Sequence, residues 1–137
     1  MSKIDPTKNR LCVVGESDPF IGRLLERFAE KSGFKVKLAR TGDDVVEMTQ
    51  QNLPGLVILD PELPGKTRGW EAARALKGSP TTCPTAIIIC SWLKKTEIPA
   101  LVGPGFASLQ KPDLRYEDFA AALNESGFKI APGKTQK

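Results

Sequence analysis

Short apolar runs alternate along the chain with segments whose apolar residues recur at helical spacing. Arg10–Val14 (RLCVV) reads as a short buried strand stopped by Gly15. Asp18-Pro19 then opens a helix, with Asp18 as cap and Pro19 at the first helical position. Ile21, Leu24, Leu25 and Phe28 follow on one face, and Gly33 closes the helix. Lys35–Ala39 (KVKLA) alternates as a half-exposed strand does. Thr41 to Asp44 resembles a capping box with Asp in place of Glu, and opens a helix through Gln51 that Pro54-Gly55 breaks. Leu56–Leu59 is an entirely apolar strand that runs straight into Asp60. A Pro- and Gly-rich loop, a helix from about Trp70 to Lys77, and a β-branched strand over Thr85–Cys90 come next. Pro99, Gly103, Pro104 and Gly105 leave room for only a short fourth helix between Lys94 and Gly105. Phe106–Gln110 is the fifth strand, and Tyr116–Ser126 a last helix with Phe119, Ala122 and Leu123 on one side.

Strands and helices thus alternate, and the central strands carry no polar alternation. That combination predicts an α/β fold: a parallel sheet covered by helices on both faces. The chain has 137 residues, enough for one domain with a substantial core and no need of metal or disulfide staples. The predicted organisation is a flexible N-terminus over 1–9, one domain over 10–127, and a basic, Gly/Pro-containing tail over 128–137 with Lys129, Lys134 and Lys137.

Composition narrows the chemistry. The net charge of +4 comes from Lys and Arg scattered along the chain, the pattern of a solvated surface rather than a nucleic-acid patch. The sequence has no histidine, which removes Ser-His and Cys-His nucleophiles. Cys12, Cys83 and Cys90 are an odd count without a CxxC pair, and Cys12 and Cys90 lie in apolar runs, so zinc is not expected. No apolar stretch approaches a membrane span or a signal peptide. The expected compartment is reducing, most simply the cytoplasm.

In an open parallel sheet, ligands sit outside the carboxyl ends of the strands near the switch in strand order. Those ends carry Gly15, Glu16, Ser17 and Asp18 after the first strand, and Asp60, Pro61 and Glu62 after the third. Cys90, Ser91 and Trp92 follow the fourth, and Lys111 and Pro112 the fifth. Singly, each is an ordinary loop residue. Jointly they place carboxylates, a hydroxyl and an ammonium on one rim. Two carboxylates suit a hard cation such as magnesium, which favours oxygen ligands. A carboxylate nucleophile, a cation and a lysine together suit phosphoryl transfer.

The run Leu56-Val57-Ile58-Leu59-Asp60-Pro61-Glu62-Leu63-Pro64-Gly65, followed by Gly69-Trp70-Glu71, resembles the phosphoacceptor segment of response-regulator receivers in bacterial two-component systems. Val13-Val14-Gly15-Glu16-Ser17-Asp18-Pro19-Phe20 is similar to the family's acidic loop. Lys111-Pro112, with Gly103 eight residues before the lysine, is similar to its fifth-strand motif. The likeness spans residues 10 to 125 and rests on the order and spacing of the motifs together. It implies a flavodoxin-like (βα)5 fold with strand order 2-1-3-4-5 and no enzymatic turnover of its own. It implies Asp60 as acceptor of a phosphoryl group from a sensor histidine kinase, with switching of contacts to a downstream protein. Magnesium would be held by Glu16, Asp60 and the backbone carbonyl of Glu62, and Ser91 and Lys111 would contact the phosphoryl group. In the family the Lys-Pro bond is usually cis.

Three departures from the family pattern stand out. Gly15 occupies the place of the first of two acids and Glu16 that of an Asp, so weak magnesium affinity is expected; Asp18 is the alternative compensating acid, but is read in preference as a helix cap. Ser91 is preferred to Cys90 as switch residue, because a hydroxyl bonds phosphate better than a thiol. That choice puts the bulky Trp92 where a small residue usually admits water, which predicts slow loss of the phosphoryl group. Ser108 stands where many receivers carry an aromatic that reports the switch.

The competing reading is a degenerate receiver that binds proteins without being phosphorylated, supported by the missing acid at Gly15. A flavodoxin-type protein would want Gly, Ser and Thr with free N–H groups after the first strand, where this chain has Glu16 and Asp18. An aspartate-nucleophile phosphatase would need a cap domain. Direct DNA binding would need a helix-turn-helix region, and none is read after Phe128.

Overall fold

The computed structural model describes residues 9–128; the predicted N-terminal segment before residue 9 and the basic tail after 128 lie outside them. The elements are β1 (Leu11–Gly15), α1 (Pro19–Lys31), β2 (Lys35–Ala39), α2 (Gly42–Asn52), β3 (Leu56–Leu59), α3 (Gly69–Gly78), β4 (Ala86–Ser91), α4 (Ile98–Val102), β5 (Ala107–Gln110) and α5 (Tyr116–Glu125). All pairings are parallel, in the order β2-β1-β3-β4-β5. This is the predicted topology. The boundaries shift by a residue: Gly15 belongs to β1 rather than ending it, and Ser91 rather than Cys90 closes β4.

Local chemistry sets the helices as read. Asp18 Oδ1 accepts the Phe20 and Ile21 N–H groups at 2.8 and 3.3 Å, with Pro19 in the first turn. Gly33, at φ +93°, provides the left-handed exit. Thr41 Oγ1 accepts the Asp44 N–H at 3.0 Å, and Leu53 ends α2 in the left-handed region at φ 45°.

Alternate residues of each strand feed two cores. Cys12, Val14, Leu56, Ile58, Ile88, Cys90, Ala107 and Leu109 face α1 and α5, where Leu25, Ala29, Phe119 and Leu123 pack. Val13, Val57, Leu59, Ile87 and Ile89 face α2, α3 and α4, meeting Val45, Ala72, Ala73, Leu76, Ile98 and Val102. β3 and β4 are buried at every position, which is why their sequences lack alternation. β2 is a sheet edge, and there Leu38 is 51% exposed, so its alternation is imperfect. The chain leaves β1 toward β2 on one side and β3 pairs on the other, so the crevice opens where the ends of β1 and β3 adjoin.

Candidate functional site at the carboxyl rim of the sheet

The sheet ladder runs one residue past its formal ends and fixes three side chains at the rim. The Glu16 N–H donates to Ala39 O at 3.2 Å, Asp60 N–H to Gly15 O at 3.0 Å, and Lys111 N–H to Ser91 O at 2.8 Å. Each side chain therefore leaves a backbone held on a neighbouring strand, which is a rigid way to position charge.

Lys111 Nζ donates to Asp60 Oδ2 at 2.6 Å and lies 2.9 Å from Glu16 Oε1. The second oxygens are occupied by backbone: Asp60 Oδ1 accepts the Glu62 N–H at 2.8 Å, and Glu16 Oε2 accepts the Asp18 N–H at 3.1 Å. Glu16 Oε1 is buried and has a charge partner but no donor aligned on it, since the ammonium approaches off the hydrogen-bond direction. The Asp60 side chain keeps 12% of its surface, while those of Glu16 and Lys111 are almost fully covered. Asp60 is thus the least covered of the three.

Burial raises the Glu16 pKa above the ordinary carboxylate range, against the opposing pull of Lys111 and the Asp18 N–H; the neighbouring Asp60 charge adds to the rise. Burial alone would depress Lys111, but its hydrogen bond to Asp60 and its ion pair with Glu16 outweigh it and leave the pKa above the usual value. Lys111 is a cation throughout the neutral range. Two carboxyl groups share this one ammonium.

Glycine fixes the surroundings of Asp60 at two points. A Cβ on Gly69 would collide with the carbonyl oxygen of Asp60 and the backbone of Pro61, so α3 starts directly against the main chain of Asp60. A Cβ on Gly15 would lie 2.6 Å from Val45 Cγ2 and 2.8 Å from Leu63 Cδ1. Sequence reading placed Gly69 in a motif without giving it a job, and missed Asp43 altogether. Asp43 accepts the Lys66 and Thr67 N–H groups at 3.0 and 3.1 Å and holds the β3–α3 loop on α2. No short-range pattern announces a contact across 23 residues.

The remaining predicted residues lie nearby but differently engaged. Ser91 is buried, and its Oγ accepts the Leu93 N–H at 2.9 Å rather than touching Asp60. Cys90 is fully buried in the α1–α5 core, its thiol pushed up to about 12 by burial. Glu62 meets Asp60 through its N–H, with its side chain exposed. Asp18 is committed to α1. Trp92 stands 58% exposed just beyond Ser91, and the Lys111-Pro112 bond is cis.

The donor set suits a hard cation. Magnesium binds through one or two carboxylates and keeps several waters, and Glu16 Oε1 offers an unaligned buried oxygen on the ammonium that also pairs with Asp60. The set is also sparse: among the described residues no group of three or more His, Cys, Asp or Glu side chains is gathered to hold a metal.

The family model of the response regulator receiver domain matches residues 12–112, and the chain belongs to that family. It is a receiver domain of two-component signalling. Solved structures of the same fold include the bacteriophytochrome response regulator AtBRR, 21% identical, covering 93% of this chain and 99% of that one at a TM-score of 0.76. The signal receiver domain of a signal transduction histidine kinase from Syntrophus aciditrophicus is 22% identical, covering 92% and 97% at 0.72. The receiver domain of a sensor histidine kinase from Pseudomonas aeruginosa PAO1, with magnesium coordinated in its active-site cleft, is 20% identical, covering 87% and 98% at 0.71. No curated protein matches the chain. Among the described residues, no helix is long and apolar enough to cross a membrane.

Proposed function

We propose that the chain accepts a phosphoryl group on Asp60 from the phosphohistidine of a sensor kinase, and that the acyl phosphate changes its contacts with a downstream protein. The observation that carries this reading is the partly exposed Asp60 carboxylate held by a buried lysine at the topological switch of the sheet.

In the transfer, an Asp60 carboxylate oxygen forms the new O–P bond as the N–P bond of the donor breaks. The bonding pair stays on the imidazole nitrogen. Lys111 holds a phosphoryl oxygen with the ammonium that now pairs with Asp60, and so does not need to be imported. The Glu62 N–H keeps the other carboxylate oxygen oriented. Ser91 exchanges the Leu93 N–H for a phosphoryl oxygen, which frees the start of the β4–α4 loop and is the event a partner reads. Magnesium, when held by Glu16, Asp60 and the Glu62 carbonyl, would neutralise charge on the phosphoryl oxygens. The chain itself carries out no further turnover.

The test is incubation with a small phosphodonor and magnesium, followed by intact-mass measurement. One phosphoryl adduct is expected, and Asp60→Asn should lose it entirely. The apolar side chains around Gly15 favour a second reading, a receiver that binds its partner unphosphorylated. No adduct under any donor, with partner binding unchanged in Asp60→Asn, would select it.

A further inference from the structure

We infer that the groove between β5 and α5 is the docking site of the chain's own basic segment 129–137. Its lysines hold it there, so a partner that uses this side of the domain has to displace it. Such docking is independent of whether Asp60 accepts a phosphoryl group.

Asp118, Ala121, Ala122 and Glu125 recur three or four residues apart and share one face of α5. That face and the edge of β5 at Ser108 and Gln110 enclose a groove of about 380 Å³. Among the described residues, β5 is a free edge of the sheet. Three carboxylates border the groove, those of Asp113, Asp118 and Glu125, against the one ammonium of Lys95. Lys95 Nζ lies 3.2 Å from Glu125 Oε2, and Arg115 Nε lies 3.7 Å from Asp118 Oδ2. All four of these side chains are about half exposed or more, so either pair exchanges for another cation at little cost. Asp113 has no ion pair among the described residues.

The segment Lys129-Ile130-Ala131-Pro132-Gly133-Lys134-Thr135-Gln136-Lys137 carries three lysines and no acid. It lies outside the described residues, but the point it leaves from is fixed. Phe128 is buried against Phe34 at the foot of the sheet, three residues beyond Glu125. Nine extended residues reach about 30 Å. The ten residues of α5 span only about 15 Å. The segment can therefore pass Glu125 and run the length of α5 to Asp118 and Asp113. The tether raises its local concentration to about the millimolar range, which populates contacts too weak for a free peptide. A sixth strand is not the mode. The crossovers that step toward β5 run over the α2–α4 face, and α5 lies on the other, so a strand beyond β5 would need a left-handed connection. Charge holds the segment, not the sheet ladder.

The test is paramagnetic broadening of backbone amides in the full chain. Cys83→Ser removes the exposed thiol, Cys12 and Cys90 stay buried, and Thr135→Cys carries a nitroxide. The Gln110 and Asp113 amides lie at the end of the sheet opposite Phe128. They should lose intensity about twofold or more at low salt and recover at high salt, where exposed charges are screened. Asp118→Lys combined with Glu125→Lys should abolish the loss. Broadening confined to the foot around Arg10 and Phe34, or broadening at Gln110 that survives the charge reversal, overturns the inference. So does equal broadening in a mixture of nitroxide-bearing protein and isotope-labelled protein without nitroxide, since the occupant would then come from another copy. If the nitroxide perturbs the segment, the chain without it decides. Its Lys134 and Thr135 amide shifts should move on the same charge reversal, and shifts that stay put overturn the inference. Intact mass after phosphodonor treatment reads Asp60 alone and is unaffected by any of these outcomes.

Discussion

Two glycines shape the surroundings of Asp60 by what they leave out. At Gly69 an added methyl meets main chain, which cannot swing aside, so Gly69→Ala is expected to cost about 2 kcal/mol or more and to lower phosphoryl uptake by moving Asp60. At Gly15 the opposing atoms are ends of flexible side chains, so Gly15→Ala should cost about 1–2 kcal/mol with uptake retained. Thermal denaturation and intact mass read the two effects. Trp92 is a different case, since it is more than half exposed at the rim. Trp92→Ala is expected to shorten the lifetime of the acyl phosphate several-fold, followed by mass after donor removal; an unchanged lifetime would show that the indole does not keep water away. The residue types at the strand ends were legible in the sequence because their spacing follows the alternation of strand and helix. What was not legible is how their atoms are spent: the Ser91 hydroxyl on Leu93, the space at Gly15 on Val45 and Leu63. Those are through-space facts with no local signature.

Between the strands and helices, the β3–α3 loop depends on a distant anchor. It bears on α2 through Asp43 and through the Gly42 N–H, which donates to Pro64 O at 3.0 Å. Hydrogen bonding to Thr67, with the Lys66 N–H, holds the Asp43 carboxyl below its usual pKa. A group depressed on folding stabilises the native state fully above its unfolded value, about 3.9, and less as pH falls through the folded value. The Lys66 and Thr67 amides should therefore be protected from hydrogen exchange at neutral pH and lose protection below about pH 4. In Asp43→Ala they should be unprotected at both. The strand and helix assignments were largely readable because caps such as Thr41 and Asp18 and apolar runs such as Leu56–Leu59 are local. β2 read less well, since an edge strand leaves Leu38 partly in water.

The sheet also has a lower end, and there the chain is closed by stacking. The Arg10 guanidinium lies 5.7 Å from the Phe34 ring centre and 5.5 Å from that of Phe128, and Nη1 donates to Ser32 O at 3.3 Å. This joins the start of β1, the α1–β2 turn and the end of the α5 segment on the side away from Asp60. Arg10→Ala should cost about 1–2 kcal/mol in chemical denaturation and leave phosphoryl uptake unchanged. The topology was legible in outline from the alternation of elements, and its strand order from family resemblance, but this closure was not, because it unites residues from both ends of the domain. What the domain does at the opposite rim is decided most directly by locating the covalent adduct. After treatment with a small phosphodonor, borohydride reduction should convert an aspartyl phosphate to homoserine. Homoserine at position 60 alone is expected; unmodified Asp60 in a protein that folds and binds magnesium would contradict phosphoryl acceptance.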